Sequence, residues 1–279
     1  MPIQIVTDSG ADLPSTPVYD LDIEMVPLKV SFGLEEYLDR VNLSIEEFWH
    51  RLASSLTLPR TSQPSPQQFV EVFRRGLAKG YSILCICLSS GLSGTYHSAS
   101  LAHKILGSPK NLKLIDSLNA SIGQGLLVLQ AAQLAREGLQ LERLTEVITS
   151  YRNRLQTILT LDTLENVVRG GRLNRIQGIM GSILDIKLIL SKTSEGKLEP
   201  LEKVRGRKKA LSRMLELIPE LGGNLQEKVI GISHLDCLPE AIDFKTQLID
   251  RYSPREVIVS PMGCTIGTYA GQGGMIVSF

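Results

Sequence analysis

Two short runs rich in hydroxyl groups carry the clearest chemistry in this 279-residue chain. They are Thr61-Ser62-Gln63-Pro64-Ser65-Pro66 and Ser89-Ser90-Gly91-Leu92-Ser93-Gly94-Thr95-Tyr96. Each runs into a segment with helical patterning, and the second follows an apolar strand, Ile83-Leu84-Cys85-Ile86-Cys87-Leu88. Backbone N–H groups at a helix start lack intrahelical partners and carry partial positive charge. A Ser or Thr hydroxyl beside them adds one more donor, so such a place suits a carboxylate or a phosphate. The local readings stay open. A Thr near prolines commonly satisfies its own backbone, and Ser93 just before a helix equally serves as its cap.

Catalysis by Ser93 is disfavoured. Gly91-Leu92-Ser93-Gly94-Thr95 lacks the second glycine at the position the hydrolase elbow requires. Nothing in the sequence places His97 or His234 with an acidic partner as a triad needs. No P-loop or dinucleotide glycine motif is present, and no carboxylate cluster looks built for a magnesium nucleotide. The four histidines, His50, His97, His103 and His234, show no ligand spacing, and Cys85 and Cys87 share one face of an apolar strand as core or pocket-facing thiols. Neither a metal nor a cofactor is expected.

The elements that must position the hydroxyl runs follow from periodicity. Residues 3–7 read as a buried strand. Ser44-Ile45-Glu46-Glu47 is a capping box that opens a helix to about residue 55. Ser65, with Pro66 at the first helical position and Gln68 to complete the box, starts another that Gly80 stops. Strand 83–88, helix 94–106, strand 112–116 and helix 123–137 follow, a βαβ rhythm that predicts a parallel sheet with helices on both faces. The second half changes character. Strands are expected at 157–161, at 186–190 and 198–204 around the turn Ser194-Glu195-Gly196, and at 228–233, 256–260 and 275–279. Glycine-rich turns at 169–172 and 178–181 sit on short helices. The fold class is therefore α/β in two domains. An N-terminal three-layer α/β/α domain with a parallel sheet spans 1–155, and a C-terminal α/β domain with a mixed sheet spans 156–279.

Bulk composition excludes several functions. The formal net charge is +1 and aromatic residues make up 5% of the chain, so neither a global field nor stacking surfaces favour nucleic acid. No apolar run approaches the roughly 18 residues of a membrane helix, so membrane contact is expected to be transient at most. Residues 1–6 lack the features of a signal peptide, which makes a cytoplasmic location the expectation.

The blocks of motif, in their order, resemble the DegV family of bacterial fatty-acid-binding proteins. They are Ile5-Val6-Thr7-Asp8-Ser9-Gly10-Ala11-Asp12-Leu13-Pro14, the two hydroxyl runs, Asp116-Ser117 with Gly123-Gln124-Gly125, Asn166-Val167-Val168-Arg169-Gly170-Gly171-Arg172, and Lys203-Val204-Arg205. The resemblance implies two α/β domains with a ligand between them. It implies a carrier rather than an enzyme, one that binds a long-chain fatty acid and presents it to a fatty-acid kinase for conversion to acyl phosphate in lipid synthesis. It also implies that Thr61 and Ser93 donate hydrogen bonds to the carboxylate. Gly94 would add its N–H, its missing side chain permitting close approach.

In the run Gly267-Thr268-Tyr269-Ala270-Gly271-Gln272-Gly273-Gly274, the chain departs from that pattern. Such proteins usually carry His where Tyr269 stands and Gly-Pro-Gly at 271–273. Tyr269 keeps a hydroxyl beside the head group but loses a base that titrates near neutral pH. A packed aromatic is the equal alternative. The tail tunnel is expected from 179–184 and 186–190, aliphatic residues with small ones between. The cationic run Arg205-Gly206-Arg207-Lys208-Lys209 opens a helix, where cations oppose the dipole. Arg205, with Arg172 as second member, is expected outside the acid pocket, meeting the kinase or its phosphate. The alternative is a small-molecule kinase or hydrolase acting on its own, which the likeness of the DegV fold to the substrate domain of dihydroxyacetone kinases makes worth weighing.

Overall fold

The structure, a computed structural model, describes residues 2–14, 21–55, 57–173 and 185–279. Strands β1 (Ile3–Asp8), β2 (Glu24–Val26), β6 (Ser82–Cys87) and β7 (Leu112–Asp116) form one parallel sheet in the order β2-β1-β6-β7. Every residue of β6 is buried, as an apolar run covered on both faces must be. On one face lie α2 (Pro66–Ala78) and α3 (Thr95–Ile105), whose Phe69, Phe73, Ala99 and Ala102 meet Cys85 and Cys87. On the other lie α4 (Ile122–Arg136) and α5 (Leu141–Arg154). The expected three layers are present.

Helix α2 forms where its cap predicts. Ser65 Oγ accepts from the Gln68 N–H, the Gln68 side chain takes the Ser65 N–H at 2.9 Å, and Pro66 occupies the first turn. At α1 (Ile45–Ser54) only half of the expected box closes. Ser44 Oγ accepts from Glu47 N–H at 3.0 Å, while the Glu47 carboxylate turns to Arg51 at 3.0 Å.

The second sheet is mixed, in the order β10-β9-β8-β13-β11-β12. Its strands are β8 (Thr157–Thr160), β9 (Ile186–Lys192), β10 (Leu198–Arg205), β11 (Val229–His234), β12 (Glu256–Pro261) and β13 (Met275–Ser278). Only β11 and β12 run parallel; β9 and β10 are the expected antiparallel hairpin. Helices α7 (Arg207–Gly222) and α8 (Leu238–Tyr252) cover one face, while α6 (Glu165–Arg169) and α9 (Cys264–Ala270) lie toward the other.

A third sheet, β4-β3-β5, was not expected. It joins β3 (Lys29–Phe32), β4 (Glu35–Leu38) and β5 (Arg60–Ser62). Strands of three or four residues are too short to show an alternation, and β5 pairs with β3 only through tertiary contact. Helix α5 also went unassigned at the sequence level.

Helix α4 joins the two halves. Its residues from Ile122 to Val128 are all buried, because it packs against β1 and β6 on one side and β11 and β13 on the other. Gly231 on β11 makes room: a Cβ there would collide with Ile122.

Candidate functional site

A cavity opens between the two large sheets. Its aliphatic wall comes from Leu159 and Leu161 at β8, Ile276 on β13, Val167 on α6, Ile266 on α9, and Leu28, Leu88, Leu92 and Leu198. Thr61, Ser93, Arg172 and Tyr269 line the same space. Side chains from distant chain positions thus converge on one apolar chamber with a polar end.

Thr61 and Tyr269 meet there. Their hydroxyl oxygens are 2.5 Å apart, a hydrogen bond in which either can donate. Thr61 sits on strand β5 rather than on the loop the sequence suggested, and pairing with Val30 of β3 fixes its position. Tyr269 sits on helix α9 rather than in a glycine-rich loop. Asp39 holds the start of that helix. Its buried carboxylate accepts the N–H groups of Cys264 and Thr265, both at 3.0 Å, and the Thr265 hydroxyl at 2.6 Å. An anion on the first N–H groups of a helix satisfies orphan donors and complements the dipole. The bound Thr265 itself lines the cavity.

The Arg172 guanidinium stacks over the Tyr269 ring at 4.6 Å. Its Nε donates to the Leu92 carbonyl at 3.1 Å and a terminal nitrogen to the Gly170 carbonyl at 2.6 Å. Arg172 therefore ties the Ser93 loop, the end of α6 and Tyr269 together, with positive charge at the polar end. The expectation had Arg172 outside the acid pocket; in the structure it lines the cavity. Gly170 is required here, since a Cβ would run into the Tyr269 ring.

Ser93 is half-buried beside the start of α3. Its Oγ lies 2.9 Å from Thr95 Oγ1 and accepts from Thr95 N–H at 3.3 Å. The helix cap proper is Gly94, with no side-chain cap. Among the described residues no protein acceptor takes the Gly94 N–H. Gly94 does not line the cavity, and its open face is filled by the Gln63 side chain, where a Cβ would clash. The close approach expected of a ligand at Gly94 is made by Gln63, which in turn donates to Ser98 Oγ at 3.2 Å.

Arg205 is the last residue of β10 and exposed, so it does not open the helix as expected. Arg207 does, and its charge is compensated within the fold by Asp162 at 2.9 Å and Glu240 at 2.6 Å. The argument from unbalanced cations at that helix start fails for Arg207. The expected tail segment 179–184 and the turn at 178–181 lie outside the described residues. Of 186–190, Leu188 and Leu190 share the face of Leu159 and pack beside the cavity wall, while Ile189 faces the core on the other side of the sheet.

The sequence reading gave no role to the first motif block. In the structure it positions the site. Buried Asp8 accepts the Leu88 N–H at 2.7 Å, where the Ser93 loop leaves β6. Asp12 accepts from Gly263 N–H at 2.7 Å, just before α9, and from Ser121 Oγ at 2.5 Å, at the start of α4. Ser121 in turn lies 2.6 Å from Ser233 Oγ on β11. Burial raises the Asp12 carboxyl to about 7, against the lowering effect of Arg40, Ser121 and the Gly263 N–H. Burial likewise raises Asp8 to about 6. The signal for these roles was the pair of acidic residues next to the buried strand β1, since a buried carboxylate needs hydrogen bonds in place of its hydration.

A second, more open groove lies beside α1, α6 and α8, lined by Trp49, His50, His234 and Gln272 among others. None of the expected site residues lines it. Among the described residues no three His, Cys, Asp or Glu side chains group to hold a metal, and no helix is long and apolar enough to cross a membrane.

The sequence profile of the DegV family matches residues 2–279. A DegV domain-containing protein of Clostridium perfringens is 34% identical over 280 residues, spanning 99% of this chain and 96% of the relative. Among solved structures, a DegV family protein from Ruminococcus gnavus with vaccenic acid superposes at a TM-score of 0.92, with 27% identity and 99% of each chain covered. DegV of Bacillus subtilis, described as a fatty acid binding protein, gives a TM-score of 0.88 at 31% identity over 100% of this chain and 98% of that one. With motif blocks, both sheets and the whole length of the chain matched, the protein belongs to the DegV family.

Proposed function

We propose that this protein binds a long-chain fatty acid in the cavity between its sheets and presents the carboxylate to a separate fatty-acid kinase. The observation that carries the reading is the pairing of an aliphatic chamber with the Thr61–Tyr269 hydroxyl pair at one end. In that pair one hydroxyl donates to the other, which leaves one proton to donate outward to a carboxylate oxygen. Ser93 on the cavity wall is a further donor, and Arg172 supplies positive charge that favours the ionised acid. Each methylene of the tail that leaves water contributes about 0.8 kcal/mol, so an aliphatic wall suffices for tight binding. The similarity to structures with bound fatty acid supports the same reading.

In this view residues 1–155 and 156–279 are two lobes that clasp the acid, and the chain is a carrier, not an enzyme. The kinase would transfer a phosphoryl group to the exposed carboxylate, with Arg205 on the outer surface steadying the partner or its phosphate. The setting is the cytoplasm, with transient membrane contact as lipid is exchanged. Native mass spectrometry of the purified protein tests the core of the proposal. A long-chain acid should co-purify at one per chain, and a nucleotide or sugar in its place would overturn the reading in favour of a small-molecule enzyme.

A further inference from the structure

The cavity has a second polar end. Alternation along β9 puts Leu188, Leu190 and Lys192 on one face. Leu188 and Leu190 join the apolar cluster with Leu159, Leu161 and Ile276 that borders the cavity, and Lys192 continues that face as part of the cavity wall. The register pairs Ser191 with Ile158, so Lys192 stands level with Thr157. Thr157 and Asn119 also line this end, joined to each other at 3.0 and 3.1 Å. At the other end of β8, Leu161 shares an apolar cluster with Ala270, the residue after Tyr269. From Thr157 to Leu161 the chain advances about 13 Å at roughly 3.3 Å per residue.

Lys192 is half-buried, and no carboxylate among the described residues acts as its counter-charge. Among the described residues the influences on its ammonium are burial and the like charge of Arg152, both of which lower its proton affinity. The neighbouring acids are engaged elsewhere. Glu195 pairs with Lys197 at 2.7 Å, and Asp116 accepts the N–H groups of Ser90 and Leu118 at 3.1 Å each. An ammonium against the end of an acyl chain is unfavourable, because its lost hydration is replaced by nothing polar. A second anion in the ligand removes that cost.

We propose that Lys192, with Asn119 and Thr157 beside it, binds an anionic group at the far end of the ligand, so that the preferred ligand is a long-chain acid with a carboxylate at both ends. The inference rests on the fatty-acid reading above. Lys192 donates a charge-assisted hydrogen bond to the distal carboxylate, and Arg152 adds attraction at longer range.

The experiment compares hexadecanedioic acid with hexadecanoic acid by calorimetry, on the wild type and on Lys192→Met and Lys192→Gln. The wild type should bind the diacid at least about tenfold more tightly. Lys192→Met, close in length and uncharged, should reverse the preference, and Lys192→Gln should reduce it. Thermal unfolding of both variants checks that they fold. If the wild type binds the monoacid as well as the diacid, or if the ratio is the same in Lys192→Met, this inference is wrong while the fatty-acid reading stands. Binding of neither acid would overturn both.

Discussion

Thr61 and Tyr269 lie 208 positions apart in the chain and share a hydrogen bond of 2.5 Å. One belongs to a three-residue strand and the other to the last helix. Any shift of that helix against the small sheet breaks the pair. Tyr269→Phe removes only the hydroxyl and keeps the ring under Arg172. Fatty-acid affinity should fall about tenfold with little change in stability, given about 1.5–3 kcal/mol for a hydrogen bond to a charged group. Thr61→Ala should cost as much. Because both hydroxyls act through one chain of donors, the double variant should lose less than the sum, as calorimetric titration would show.

Ser93→Ala tests the other side of the head group. Thr95 N–H and hydroxyl lose a partner, so α3 should fray slightly, by about 0.5–1 kcal/mol in urea unfolding. Affinity for the acid should fall by about tenfold. Unchanged affinity would leave Ser93 with its local hydrogen bonds and no part in binding.

The two arginines should separate. Arg205→Ala should leave fatty-acid affinity unchanged yet slow acyl-phosphate formation with kinase and ATP, and Arg205→Lys should restore little of the rate, since a planar fork grips phosphate as an ammonium does not. Arg172→Ala should weaken binding itself, because Arg172 lines the cavity and braces Tyr269. Equal loss of binding and phosphorylation in Arg205→Ala would remove the distinction.

Asp39→Ala should destabilise the fold by about 2 kcal/mol or more, since two helical N–H groups and a buried hydroxyl lose their acceptor. It should also weaken fatty-acid binding without touching the ligand, because α9 carries Tyr269. A thermal scan with and without fatty acid reads both effects.

Asp12 makes stability depend on pH. Its carboxyl is raised from 3.8 to about 7 in the folded state by burial. Between those values the folded state holds a proton that the unfolded state has released. The contribution to stability is therefore full below about pH 4 and is lost as pH rises toward about 7. Asp8, raised to about 6, adds to the same slope. Asp12→Asn should flatten the fall in urea midpoint across that interval, and an unchanged slope would assign it to other groups.

Much of the scaffold was legible in the chain. The Ser65-Pro66-Gln68 box, the buried run of β6 and the 186–204 hairpin are short-range patterns, and each formed as its residues dictate. The hydroxyl runs announced donors near a helix start because capping and turn chemistry act within a few residues. Tertiary structure decided the rest. Strand β5 exists only through its pairing with β3, which no local pattern encodes. That pairing lifts Thr61 out of a loop and onto the hydroxyl of Tyr269. Packing brought Arg172 from an expected outer surface onto the Tyr269 ring, and turned Asp8 and Asp12 from anonymous acids into the clamps of the Ser93 loop and α9. The physical reason is common to all of these. Local propensity acts over a turn or two of chain, whereas a buried carboxylate or hydroxyl takes whatever partner the packing of distant elements leaves within about 3 Å.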